Sequence, residues 1–282
     1  MLSSKQEKKI RILSKRIQIQ TLRSIASIGQ GHVGGSLSIC DLLALLYGKQ
    51  LRFRPDQPQW DGRDRLVVSK GHSGPAVYSA LSLQSFFPEE ELLTLNRPHT
   101  RLPSHCNRIL TPGIDMSTGS LGQGASAAAG MALGLQMDNK TNIVYLILGD
   151  GEIQEGQVWE MALFAAQKKL GRLIAFVDDN GLQIDGPTDL VCSLGDIEEK
   201  FRAFGWDAAT VDGHDPAAID EAIENAKKQV DKPSVIILKT VKGRGWRKIE
   251  NKVSCHHMPI SPTDLDEVIT ELEDELKALL EV

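Results

Sequence analysis

Two groups of side chains in this sequence have the types and spacing to do chemistry. The first is built on oxygen. Gly149-Asp150-Gly151 closes the apolar run Ile143 to Leu148, and Asp178-Asp179-Asn180 closes the next one, Leu173 to Val177. Carboxylates after buried apolar runs fall where open α/β sheets bind ligands, outside the carboxyl ends of their strands. Flanking glycines let backbone amides approach a phosphate, and Asp150 can coordinate a hard cation that neutralises a diphosphate. The Asn180 amide oxygen and a backbone carbonyl in Gly181-Leu182 would extend that set toward an octahedral magnesium site finished by diphosphate oxygens and water. A Gly-Asp-Gly alone is more often a plain turn; two successive strands ending in oxygen ligands say more. A mononucleotide or sugar-phosphate pocket shares this strand-end chemistry and is the alternative.

The second group is imidazole. Of seven histidines, His32 in Gly31-His-Val-Gly-Gly-Ser36, His72 in Ser69-Lys-Gly-His-Ser-Gly-Pro75 and His105 in Leu102-Pro-Ser-His105 sit in segments punctuated by Gly, Pro or Ser. Loops of this kind carry function on α/β scaffolds, and imidazoles exchange protons near neutral pH. A lone histidine is more often a satisfied structural group. Three in such loops beside a diphosphate signature favour a site. Cys255-His256-His257 is not read as a metal cluster, because adjacent ligands on an extended chain point apart.

The elements that must position these groups follow from hydrophobic patterning. Leu66 to Val68, Ile143 to Leu148, Leu173 to Val177 and Val235 to Leu238 are short unbroken apolar runs, the pattern of parallel strands buried on both faces. Between them lie helical patterns over 39–47, 75–83, 121–137, 156–170, 197–204 and 216–230. Alternating strands and helices predict a doubly wound, mainly parallel α/β sheet flanked by helices. Residues 5–23 and 265–280 read as amphipathic helices packed on it. The segment Gly122 to Gly134 is rich in small residues and offers either a close helix–helix or inter-chain contact or a crowded core. With no linker or repeat, residues 1–282 read as a single diphosphate- and magnesium-binding domain with a helical segment at each end.

Bulk composition narrows the partners. The chain has 282 residues, 41% of them apolar, and a net charge of −5, which gives no general attraction to nucleic acid or acidic lipid. Four scattered cysteines without a CxxC pair argue against a disulfide framework or zinc ribbon and fit a reducing cytoplasm. The basic N-terminal stretch is interrupted by charge, unlike a signal peptide or a spanning helix, so no membrane partner is expected.

Taken together, these segments resemble the thiamine diphosphate enzymes and, among them, transketolase. The resemblance rests on Gly31-His32, Gly71-His72, His105 before Thr118-Gly-Ser-Leu-Gly-Gln-Gly124, and Gly149-Asp-Gly-Glu-Ile-Gln-Glu-Gly156, and it spans roughly Gly31 to Pro259. It implies that Asp150, Asn180 and the Leu182 carbonyl hold magnesium and that Gly151 lies on the diphosphate. His32 and His105 are implied to face substrate hydroxyls, His72 to sit by cofactor and substrate, and Gly119 and Leu121 to line the cofactor. Glu155 matches an acid that reaches across a dimer interface. His256 matches a further histidine at the cofactor, although the family's usual His-Gly pair is replaced here by His256-His257.

Transketolase moves a two-carbon ketol unit from a ketose phosphate to an aldose acceptor. Its second domain, which activates the aminopyrimidine and makes most substrate-phosphate contacts, has no counterpart in these 282 residues. A partner chain supplying the pyrimidine-binding half, in an α2β2 assembly, is therefore expected. The competing readings are deoxyxylulose-phosphate synthase, a 2-oxoacid dehydrogenase component and a non-catalytic supporting chain. The retained Asp150, Asn180 and Glu155 speak against the last of these.

Overall fold

The computed structural model describes residues 2–281. Five strands form the central sheet: β1 (Arg65–Val68), β2 (Val144–Gly149), β3 (Leu173–Asp179), β4 (Asp207–Asp212) and β5 (Ser234–Lys239). Their order is β1-β2-β3-β5-β4, with every neighbouring pair parallel. The apolar runs read from the sequence are β1, β2, β3 and β5. The edge strand β4 escaped that reading because its accessibility alternates along Asp207 to Asp212, as suits a strand paired on one side only.

Residues along each strand divide between two apolar cores. Tyr145, Ile147, Ile174, Phe176, Ile236 and Leu238 face one, while Leu146, Leu148, Ala175, Val177, Val235 and Ile237 face the other. That period of two sends successive side chains to opposite faces, and helices cover both. The first core is closed by α1 (Ser4–Ala26), α2 (Cys40–Leu45), α3 (Gly74–Leu83), α7 (Pro216–Ala226) and α8 (Pro262–Glu281). The second is closed by α4 (Gln123–Met137), α5 (Gly156–Gln167) and α6 (Ile197–Ala203).

Local sequence chemistry sets several helix boundaries. Ser3 accepts from the Gln6 amide while the Gln6 side chain accepts from the Ser3 amide, a reciprocal cap that starts α1. Asp215 caps α7, with Pro216 in its first turn. The acidic α8 lies along α1, burying Val268, Ile269 and Leu272, and Glu275 and Glu273 pair with Lys15 and Arg23 of α1. On α4, Gly124, Ala125, Ala128, Ala129 and Ala132 face the core, whereas Gly130 and Gly134 face open space.

A two-residue antiparallel ribbon pairs Gln30–Gly31 with Met258–Pro259. It brings the loops carrying His32 and His256 side by side at the carboxyl end of the sheet.

Candidate active site

Four neighbouring strands, β1, β2, β3 and β5, deliver Lys70, Asp150, Asp178 with Asn180, and Lys242 to one end of the sheet, around a cavity of about 240 Å³. The cavity wall contains His32, His72, His105, Gly119, Leu121, Asp150, Gly151, Asn180, Leu182 and His256, all singled out from the sequence. Glu155 lies outside it, exposed at the start of α5.

Asp150 is buried, and its oxygens accept from the backbone amides of Gly151 at 2.8 Å and Gly181 at 2.7 Å. Burial, and secondarily the nearby Asp178, pushes its carboxyl up to about 7. Two amides offset only part of the cost of a buried carboxylate; a divalent cation on its oxygens would offset more and drive its proton off. The Asn180 side chain bridges Asp178 Oδ2, to which it donates at 3.0 Å, and the Leu182 amide, from which its Oδ1 accepts at 3.2 Å. The Leu182 carbonyl accepts from Lys242 Nζ at 2.8 Å, which leaves it a second lone pair. A carboxylate, an amide oxygen and a carbonyl clustered here are hard oxygen donors of the kind magnesium takes, and the residues present fit that ion. Among the described residues no group of three or more His, Cys, Asp or Glu side chains is placed to hold a metal ion.

The other end of the cavity is imidazole. The His32 ring lies 5.2 Å from His72, 5.7 Å from His105, 5.5 Å from His256 and 4.7 Å from His257, centroid to centroid. Burial, followed by the neighbouring His257, His105 and Lys242, lowers His32 to about 4. Burial and then Lys242 and His32 do the same to His256. Burial also holds His72 well below its ordinary value and lowers His105. At neutral pH these rings are uncharged and able to donate and to accept at once. Gly119, at φ 141°, admits the His105 ring so closely that a Cβ would sit 2.7 Å from Cδ2.

Several residues of the site were missed from the sequence. Lys70 Nζ donates to Asp178 Oδ2 at 2.6 Å and to the Gly35 carbonyl at 2.8 Å, and Ser38 Oγ donates to the same Asp178 oxygen at 2.7 Å. Thr240 donates to the other oxygen of Asp178. This network, almost wholly buried, holds the Asp178 carboxyl below its ordinary value although burial alone would raise it. Glu152 joins three loops by accepting from Ser69, from the Gly122 amide at 2.9 Å and from the Gly149 amide at 3.1 Å. Lys242 is buried against the cavity, with Nζ 3.2 Å from His256 Nδ1, and burial lowers its ammonium. Lys70 stands two residues before His72 in the same motif, and a lysine two residues past a buried strand was the available signal.

The profile described as transketolase, thiamine diphosphate binding domain, matches residues 8–277. The chain belongs to the transketolase family. A 6-deoxy-6-sulfo-D-fructose transketolase subunit of Clostridium sp. (strain MSTE9) is 52% identical over 90% of this chain and 93% of that protein. One of the apulose-4-phosphate transketolase subunits of Phocaeicola vulgatus is 36% identical over 88% of each. The solved transketolase of Campylobacter jejuni superposes with a TM-score of 0.89 at 29% identity, over 98% of this chain and 43% of that one. The parallel α/β sheet is thus a transketolase thiamine diphosphate-binding fold, and the chain spans less than half the length of that transketolase. Among the described residues no helix is long and apolar enough to cross a membrane.

Proposed function

We propose that this chain is the thiamine diphosphate- and magnesium-binding subunit of a cytoplasmic, two-chain transketolase, active with a pyrimidine-binding partner chain in an α2β2 assembly. The observation that supports this reading is one cavity with an oxygen-donor end, Asp150, Asn180 and the Leu182 carbonyl, and an imidazole end, His32, His72, His105 and His256. The partner is supported by two relatives named as transketolase subunits, each covered over most of its length by this chain.

In this reading Asp150, Asn180 and the Leu182 carbonyl would hold magnesium, Gly151 would approach the diphosphate, and Gly119, Leu121, His72 and His256 would line the cofactor. Thiamine diphosphate, when bound, supplies a carbon nucleophile and an electron sink for cleavage beside a carbonyl. The chain's own task is to position the sugar and handle its protons. His32 and His105, uncharged at neutral pH, would donate hydrogen bonds to the sugar hydroxyls, and His32, His72 and His105 can relay protons between substrate oxygens. Glu155, exposed at the start of α5, would reach the neighbouring chain.

The substrates in this reading are a ketose with an anionic distal end and an aldose acceptor, and the sulfosugar named for the 52% identical relative is the first donor to try. The chain is purified alone and with its partner, and ketol transfer is measured with thiamine diphosphate and magnesium. Full activity from the chain alone removes the two-chain reading, and turnover of pyruvate but of no ketose removes transketolase. Replacing Asp150 with Asn weakens cofactor affinity in magnesium at least tenfold, about 1.4 kcal/mol, by fluorescence titration; unchanged affinity removes Asp150 from the metal site.

A further inference from the structure

His214 takes no part in the cavity wall, yet both of its ring nitrogens are engaged. It stands in the turn between β4 and α7, where its own amide donates to Asp212 at 2.8 Å. Nε2 accepts from the Val241 amide at 2.8 Å, so that nitrogen carries no proton. The proton then sits on Nδ1, which donates to Asp41 Oδ2 at 2.8 Å. Asp41, on α2, also accepts from Ser14 of α1 at 2.5 Å. Burial raises the Asp41 carboxyl, but the hydrogen bond from His214, followed by that from Ser14, outweighs it and holds the group below its ordinary value. A carboxylate in that state can only accept, which fixes the tautomer of the ring.

This line of hydrogen bonds ends beside Lys242. On leaving β5 the backbone gives its Thr240 amide to the Asp179 carbonyl and its Gly243 amide to the Gly34 carbonyl, whereas the Val241 amide goes to a side chain. The next residue is Lys242, whose Nζ donates to the Leu182 carbonyl at 2.8 Å and lies 3.2 Å from His256 Nδ1, joining the oxygen end of the cavity to the imidazole end. A lysine stem is flexible, so where its ammonium arrives depends on how the backbone beneath it is held. Without an acceptor at position 214 the Val241 N–H is left to find another partner, and the backbone beside Lys242 turns with it.

We propose that His214, locked in one tautomer by Asp41, is a positioning residue that sets Lys242, and through it the Leu182 carbonyl, for the cofactor. The inference rests on the transketolase reading and adds to it a residue outside the cavity. His214 acts through the backbone of Val241 and touches neither cofactor nor substrate.

The test compares two variants of the assembled enzyme. Gln at position 214 can bring its carbonyl oxygen near the place of Nε2 and keep the acceptor, whereas Asn is too short to reach Val241. Without cofactor, amide hydrogen exchange at Val241 quickens at least tenfold in His214→Asn and less than threefold in His214→Gln. Affinity for thiamine diphosphate in magnesium, by fluorescence titration, falls at least tenfold in the Asn variant and less than threefold in the Gln variant, while KM for the ketose donor at saturating cofactor changes less than twofold in both. Equal affinity losses in the two variants, or Val241 exchange in His214→Asn as slow as in the wild type, overturns the positioning role. Nitrogen NMR of the histidine-labelled wild type shows a bare Nε2 and a protonated Nδ1 at His214; a protonated Nε2 overturns the proposal even where the Asn variant does not fold. A wild type that binds no thiamine diphosphate would instead remove the transketolase reading, with the exchange contrast still deciding the anchor at Val241.

Discussion

At the scale of single residues the site is an exercise in controlling charge without water. Lys70 and Asp178 form a 2.6 Å pair whose side chains are 3% and 0% exposed. Pairs this buried are marginal as net stabilisers but costly to break, since the survivor is an uncompensated charge. Lys70→Met is expected to lower stability by about 3–5 kcal/mol in urea unfolding, and Lys70→Met combined with Asp178→Asn to recover part of it. Equal losses in the single and double variants would count against the pair. The histidines give a pH prediction. Between pH 6.5 and about 4 the unfolded chain takes up protons that folded His32 and His256 refuse, so they make stability fall as acid is added across that window. Asp150, pushed up to about 7, binds protons in the folded state and titrates with the opposite sign. The measurement is therefore a difference: melting temperature against pH should fall less steeply from 6.5 to 4 in His32→Asn than in the wild type. Parallel curves would refute the assignment.

At the scale of elements, α4 shows how a run of small residues divides its duties. A Cβ on Gly124 would lie 2.5 Å from Ser69 Oγ and 2.9 Å from Ser69 Cα, so this helix turn is pressed against the chain leaving β1. A Cβ on Gly130 would meet nothing within 4 Å. Gly124→Ala should cost about 1–3 kcal/mol through overpacking, and Gly130→Ala in the purified chain should gain up to about 1 kcal/mol of helix propensity. Chemical denaturation of both variants checks the contrast. The elements that follow strong periodicity were legible in the sequence, and so were the groups at their ends: Asp150 and Asn180 close buried apolar runs, and His32, His72 and His105 lie in Gly- and Pro-marked loops. Asp178 stands out in the sequence only as part of its motif, and Lys70 likewise, because what makes them matter is each other, across a sequence separation of 108 residues. Glu152, 83 residues from Ser69, was hidden for the same reason. Periodicity reports which face is buried; it carries no information on which distant loops share a carboxylate.

At the scale of the whole molecule, an apolar surface remains uncovered. Leu163 is 62% exposed and Phe164 39% exposed on α5, and Met137 is 73% exposed at the end of α4. With Gly130 and Gly134 open on the same helix pair, this face suits close contact with another chain. Sedimentation equilibrium should find the purified protein larger than a monomer, and Leu163→Glu with Phe164→Glu should raise the dissociation constant at least tenfold. An unchanged constant would mean that the chains associate through another face.

The short ribbon between Gln30–Gly31 and Met258–Pro259 also bears on how the protein is made. It stitches together backbone segments far apart in the sequence, and contacts of such high sequence separation are slow to form because a long loop must close first. During synthesis His32 emerges long before His256 and His257, and its ring meets theirs only after the intervening chain has been made. A chain that has not yet reached Lys242 and His256 carries the oxygen ligands and three of the histidines but lacks one wall of the cavity, so that wall closes last.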